Sequence, residues 1–130
     1  MLAGMPGAPV SNMSPPTVLL AFLAVGQIGL LLAFRPQLNA LAADDRFDLV
    51  VATRDWHPPE HSSFAGQGGP WPVHCVADSD GAQLHPGLDR ARVDVVVDKG
   101  TDPSTEGYSG FDGTDLATLL RDRGIDRITV

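Results

Sequence analysis

The pattern of apolar and polar positions changes character near residue 35. No charged side chain occurs in residues 1–34, and residues 17–34, TVLLAFLAVGQIGLLLAF, are almost wholly apolar. As a helix, this segment would be about 27 Å long, close to the thickness of a bilayer core. Two interpretations follow: a membrane-associated or exported segment, or a buried strand and helix of a soluble fold. We favour the second, and treat residues 1–37 as an atypical apolar segment.

Alternating apolar and polar elements begin after this segment, in residues 38–130. The predicted elements are an amphipathic helix in PQLNALAADDR, a buried strand at 48–53, a second at 93–97, a helix from Thr114 to Gly124 and a strand at 125–130. Between the two buried strands lies a long irregular region rich in Gly, Pro, His and Ser, and loops of that length are usually functional. The order of elements predicts an α/β fold with a parallel sheet and crossover helices, a Rossmann-like three-layer arrangement.

Composition narrows the classes of function. A chain of 130 residues fits one domain, and its formal net charge of −7 argues against sequence-independent binding of nucleic acid, which needs a basic face. The single cysteine rules out an intramolecular disulfide, as suits a reducing compartment. We therefore expect a cytoplasmic protein that does not bind nucleic acid. The alternative is association with a membrane through residues 17–34.

Potential metal ligands follow the first buried strand. Asp55 and His57 are two residues apart, so in extended backbone their side chains point to the same side. His74 can supply a third ligand from the long loop, and His61 is a tentative fourth. One carboxylate and two imidazoles suit zinc, with iron or manganese as alternatives. The opposing interpretation is that these are ordinary loop histidines beside prolines.

Other candidate residues lie near the same edge of the predicted sheet. Lys99 directly follows the second buried strand, where it can hold a carboxylate or stabilise developing negative charge; a solvated lysine in a turn is the alternative. Trp71 and Tyr108 can form the walls of a pocket for an aromatic ring, or can serve packing alone. Cys75 is better explained as a small buried residue than as a nucleophile.

Four separated motifs, ATRDWHPPEHSSF, GPWPVHCV, LHPGL and DKGTDPSTEGYSGF, resemble in order and spacing the nicotinamidases of the isochorismatase-like cysteine hydrolases. The resemblance runs from about residue 38 to residue 130, which we take as a partial domain of that fold. It implies an amidohydrolase that converts nicotinamide to nicotinate and ammonia in NAD salvage, part of pyridine nucleotide biosynthesis, and that in many members also acts on pyrazinamide.

The resemblance also implies roles for individual residues. Asp55, His57 and His74 match the family's metal ligands, and His61 matches a ligand of some members. Lys99 matches the lysine of the catalytic triad, and two aromatics, Trp71 and Tyr108, match residues that flank the pyridine ring. Cys75 matches a residue beside the metal ligand, which is not the nucleophile.

The sequence departs from the family in two places. The triad aspartate has no counterpart in residues 1–34, and the nucleophilic cysteine, which follows the strand that RITV begins, is not visible. We therefore expect weak metal binding and impaired activity from this chain. The alternatives are a shifted reading frame upstream of residue 38, a non-catalytic or membrane-anchored remnant of the fold, or another amidohydrolase of the superfamily. The oligomeric state is left open.

Overall fold

A four-stranded parallel sheet organises the chain. The computed structural model describes residues 17–22 and 36–130. Its elements in chain order are β1 (Thr17–Phe22), α1 (residues 36–42), β2 (Leu49–Asp55), β3 (Val95–Lys99), α2 (Leu116–Asp122) and β4 (Arg127–Thr129). The strand order is β3-β2-β1-β4, and every neighbouring pair is parallel. The predicted α/β class is confirmed.

The two faces of β2 pack against different layers, as its run of β-branched residues predicted. Leu49 and Val51 on one face pack with Leu116 and Leu120 of α2. On the other face, Ala52 packs with two leucines of the long loop and with Leu38 of α1, among others. A strand that is buried on both faces is typical of the interior of a three-layer α/β domain. This packing holds the carboxyl end of β2 in a fixed position.

The first strand agrees with the favoured interpretation of the apolar segment, in which a strand precedes a helix. Thr17–Phe22 is a strand that lies between β2 and β4, so these residues hydrogen-bond laterally to the sheet and do not begin a helix that spans 17–34. In the part of the chain that the structure describes, no helix is long and apolar enough to cross a membrane. The first strand therefore belongs to the same sheet as residues 38–130. The division of the chain at residue 37 stays a prediction, because residues 1–16 and 23–35 lie outside the described ranges.

The last helix begins and ends close to the predicted positions. The backbone N–H of Leu116 donates to Oγ1 of Thr114 at 3.3 Å, although the residue directly before the helix is Asp115. Gly124 follows the helix with φ of +65°, in the left-handed region where glycine is favoured. The chain then turns into β4. The predicted strand at 93–97 is observed two residues later, because Asp94 uses its carboxylate and its backbone N–H to bond to Val50 before pairing begins.

We expect Thr53→Val to raise the free energy of unfolding by about 1 kcal/mol, because an unpaired buried hydroxyl loses its hydrogen bonds to water on folding. Thr53 is buried, and its Oγ1 has no hydrogen-bond partner in the described structure. Urea unfolding of both proteins measures the change. Thr53→Ser is the control, since it keeps the hydroxyl and removes a methyl group; a valine variant no more stable than the wild type would contradict the prediction.

Candidate functional site

The carboxyl ends of β2 and β3 bring a carboxylate and an ammonium together. Asp55 and Lys99 are partners in the strand register, and Nζ of Lys99 donates a hydrogen bond to Oδ1 of Asp55. The same Nζ donates to the backbone carbonyl of Gly107 at 3.0 Å. The backbone N–H of Trp56 donates to the carbonyl of Lys99 at 2.9 Å, which continues the pairing past the end of β2. Lys99 therefore lies within the site and not in a solvated turn.

A short parallel bridge explains how two histidines far apart in sequence become neighbours. His57 pairs with Val76 outside the named strands, and the His57 N–H donates to the carbonyl of Cys75 at 2.9 Å. This pairing lays residues 74–76 beside the end of β2. The ring centroids of His57 and His74 are 5.0 Å apart in an edge-to-face arrangement, and the ring of Phe64 packs against both. His57 is buried, with 3% of its surface exposed.

The hydrogen bonds of His57 and His74 define which ring nitrogen carries the proton in each. Nδ1 of His57 lies 2.9 Å from the carbonyl oxygen of Gly100, and Nδ1 of His74 lies 2.7 Å from that of Pro72. A carbonyl can accept a hydrogen bond but cannot donate one, so Nδ1 must carry the proton in both rings. With that proton on Nδ1, Nε2 is the nitrogen of each ring that can present a lone pair to a metal ion. Backbone carbonyls commonly orient metal-ligating histidines in this way.

His61 is bonded differently from these two histidines. It is fully buried, and its Nε2 lies 2.9 Å from the carbonyl oxygen of Thr105. Its Nδ1 lies 2.8 Å from the hydroxyl of Ser63 and accepts the N–H of the same residue at 3.2 Å. The proton must be on Nε2, and the Nδ1 lone pair is already used. The tentative fourth ligand thus has no lone pair to offer in this arrangement.

The residues fit a divalent cation in their donor chemistry. Burial lowers the pKa of His57, which favours the neutral ring that metal binding requires. Oδ1 of Asp55 lies 3.9 Å from Nε2 of His57, so the carboxylate and a free imidazole nitrogen face the same region. Within residues 17–22 and 36–130, however, no three His, Cys, Asp or Glu side chains already converge on one point as a ligand group. Asp55 pairs with Lys99 instead.

The remaining predicted residues divide into two groups. Trp71 and Tyr108 are exposed, at 49% and 68%, so neither belongs to the buried core of the described residues. Both stay predicted as pocket walls. Cys75 is buried, and burial raises the pKa of its thiol, which keeps it protonated at neutral pH. A protonated, inaccessible thiol is a poor nucleophile, in agreement with its assignment as a buried residue.

Two glycines position the site, and sequence reasoning did not single them out. Gly100 has φ of +62°, and a Cβ there would lie 2.5 Å from Cε1 of His57. Gly107 has φ of +66°, and a Cβ there would lie 2.5 Å from the backbone of Gly100. The loop that joins them therefore approaches the His57 ring more closely than any other residue type allows. Their spacing within KGTDPSTEG indicates a turn, but not the ring that the turn contacts.

An arginine also supports the site from the opposite face of the sheet. The guanidinium of Arg54 pairs with Asp98 of the neighbouring strand, with Nε 2.5 Å from Oδ1. It also lies over the ring of Trp56, 3.8 Å from the ring centroid. The ion pair with Asp98 holds the guanidinium in place, and the cation–π interaction holds Trp56, the residue between Asp55 and His57. No local sequence pattern predicts this pairing, because it joins residues 44 positions apart.

Comparisons with known proteins agree with this architecture. The chain is 39% identical over 106 residues to the nicotinamidase of Escherichia coli K12, covering 65% of this chain and 50% of the relative. It is 40% identical over 99 residues to the nicotinamidase/pyrazinamidase of Mycobacterium tuberculosis, covering 70% and 51%. The chain thus spans about half the length of the curated relatives it matches.

Solved structures show the same fold. Pyrazinamidase of Pyrococcus horikoshii, solved in complex with zinc, superposes with a TM-score of 0.75 at 38% identity, over 88% of this chain and 68% of that one. PnC1 of L. infantum, in complex with nicotinate, gives 0.77 at 39% identity, over 93% and 68%. The predicted resemblance to nicotinamidases is therefore confirmed. Since a model of the isochorismatase domain also matches residues 33–130, the chain belongs to the isochorismatase domain family.

Proposed function

We propose that this chain carries the metal-binding part of a nicotinamidase active site. We also propose that the whole protein hydrolyses nicotinamide to nicotinate and ammonia. The observation that carries the proposal is the pair of histidines whose Nδ1 protons are held by backbone carbonyls, beside the carboxylate of Asp55. Relatives named nicotinamidase support the choice of substrate. The product places such an enzyme in NAD salvage, and we propose the cytoplasm as its location.

Nε2 of His57, Nε2 of His74 and the carboxylate of Asp55 would hold a divalent cation. Zinc is the leading candidate because two imidazoles and one carboxylate suit it and because a related pyrazinamidase was solved with zinc. When bound, the cation would supply a Lewis acid that fixes the ring nitrogen of the substrate. Iron and manganese suit the same donors.

The residues of this chain have separate roles in that site. Lys99 holds Oδ1 of Asp55 and the carbonyl of Gly107, so it orients a ligand carboxylate and places positive charge at the carboxyl end of the sheet. We propose that this charge stabilises the negative charge that develops during amide hydrolysis. Trp71 and Tyr108 are the proposed walls for the pyridine ring, since their exposed aromatic surface is available to a flat ligand.

Nucleophilic attack is not assigned to any residue of this chain. Its single cysteine, Cys75, is buried with a raised thiol pKa, and a family-type reaction needs an accessible thiolate. We therefore propose that the 130-residue chain releases little ammonia from nicotinamide.

The test measures whether nicotinamide binds to the purified chain in a zinc-dependent way. Saturation-transfer NMR detects the binding. Benzamide is the matched ligand, since it keeps the ring and the carboxamide but lacks the ring nitrogen. We expect zinc to increase the signal of nicotinamide and to leave that of benzamide unchanged. Equal signals for the two ligands, with and without zinc, would contradict the proposed site, and ammonia release at ordinary enzyme rates would contradict the proposed impairment.

A further inference from the structure

His61 differs from its two neighbours in a way that assigns it another task. Its ring lies 4.1 Å from the ring of His57, centroid to centroid, close enough to be taken for a ligand of the same ion. Yet Nε2 donates to the carbonyl of Thr105, and Nδ1 accepts from Ser63. A ring that binds a metal must give up one of these bonds, which would leave a buried carbonyl or N–H without its partner.

The bond from His61 ends on the loop of residues 100–107, which we call the glycine loop. A second hydrogen bond joins the same two segments, from the N–H of Ser62 to the carbonyl of Pro103 at 2.7 Å. His61 is fully buried at this junction, so its hydrogen bond to Thr105 is shielded from competition by water. The segment that follows His57 is therefore tied to the middle of the glycine loop at two points.

Both ends of the glycine loop act on the site. The carbonyl of Gly100 fixes the Nδ1 proton of His57, and the carbonyl of Gly107 accepts from Nζ of Lys99. The two glycines also touch, so that a Cβ on Gly107 would lie 2.5 Å from Gly100. A displacement at the middle of this compact loop would consequently move both carbonyls.

We propose that His61 is a positioning residue and not a metal ligand: it ties down the glycine loop so that its two end carbonyls hold His57 in the metal-binding tautomer and Lys99 on Asp55. The inference deepens the proposed metal site and rests on it. Two histidines contribute Nε2 lone pairs to the ion, and the third contributes a neutral ring with both nitrogens bonded inside the protein.

Two substitutions at His61 separate positioning from ligation. His61→Gln keeps an amide N–H that can reach the Thr105 carbonyl but removes the imidazole, whereas His61→Leu keeps the bulk and removes both polar atoms. By zinc titration calorimetry on the 130-residue chain, we expect the glutamine variant to stay within about threefold of the wild type. The leucine variant should bind about tenfold more weakly, as is typical when a residue that orients a ligand is lost.

Amide hydrogen exchange on the zinc-free chain supplies the second readout. We expect the N–H groups of Ser62 and Trp56, which bond to the glycine loop and to the carbonyl before it, to exchange about tenfold faster in His61→Leu and at near wild-type rates in His61→Gln. A general loss of stability would instead accelerate the amides of β2 and α2 equally. Rescue by glutamine in both measurements is the expected result.

Three results would overturn the inference. Loss of zinc affinity by a hundredfold in His61→Gln, equal to the loss on removing a true ligand, would make His61 a ligand. Unchanged amide exchange and zinc affinity in His61→Leu would show that His61 has no positioning role. Fast amide exchange in His61→Gln, equal to that in His61→Leu, would show the same. If the wild-type chain does not bind zinc, the proposed function fails, while the exchange comparison still decides whether His61 holds the glycine loop.

Discussion

Gly100→Ala is expected to lower the free energy of unfolding by about 3 kcal/mol and to weaken zinc binding. Part of the loss, about 1–2 kcal/mol, comes from placing a Cβ on a residue with φ of +62°. The rest comes from contact, because the new Cβ would lie 2.5 Å from Cε1 and 2.7 Å from Nδ1 of His57, closer than atoms tolerate. The ring must move away from the Gly100 carbonyl that holds its proton. Urea unfolding and zinc titration measure the two effects.

Gly113→Ala is the matched control for this substitution. Its φ of +64° is nearly the same, but a Cβ there would meet nothing within 4 Å. We expect it to lose the 1–2 kcal/mol of backbone strain alone and to keep its zinc affinity. If the two alanine variants lose equal stability and bind zinc equally, the close approach of the glycine loop to His57 does not matter.

His57→Gln is expected to weaken zinc binding by about a hundredfold or more, beyond the loss of about tenfold expected for a residue that only orients a ligand. The glutamine can still donate to the Gly100 carbonyl but has lost the Nε2 lone pair that the proposed site requires. His74→Gln should behave alike, for the same reason. Titration calorimetry of the purified variants measures both changes.

His85→Gln provides the control for nonspecific binding by histidine. His85 lies in a separate turn, where its Nδ1 accepts the N–H of Gly87 at 2.9 Å. Its removal should leave zinc affinity unchanged. If all three histidine variants lost affinity to the same extent, zinc would be binding to scattered surface groups, and the proposed site would be wrong.

The fold could be predicted where the local pattern is unambiguous. The β-branched runs that became β2 and β3, and the leucine stripe of α2, state their secondary structure over a few residues. The pattern of residues 17–34 does not determine their secondary structure, because an all-apolar run suits a strand or a helix equally well. Its first six residues form β1, between β2 and β4, which only pairing with distant strands determines.

The site could be predicted as a set of residue types but not as an arrangement. The two-residue spacing placed Asp55 and His57 on one side, and their side chains do approach each other, at 3.9 Å. The contacts that decide their roles join residues 43 or 44 positions apart: Lys99 with Asp55, Gly100 with His57, and Thr105 with His61. No local pattern encodes such pairings. The sequence therefore set His61 apart only as a tentative ligand, and the two hydrogen bonds that occupy its ring nitrogens became evident only from the structure.

The central claim is that Nε2 of His57 and Nε2 of His74 are ready to bind a divalent cation. The most direct test is a long-range proton–nitrogen spectrum of the ¹⁵N-labelled chain, recorded before and after one equivalent of zinc, with the rings assigned from the glutamine variants. Before zinc is added, we predict the Nδ1–H tautomer for His57 and His74. After zinc is added, the Nε2 resonances of these two rings should shift, whereas both nitrogen resonances of His61 should not. Unshifted Nε2 resonances at saturating zinc would contradict the account.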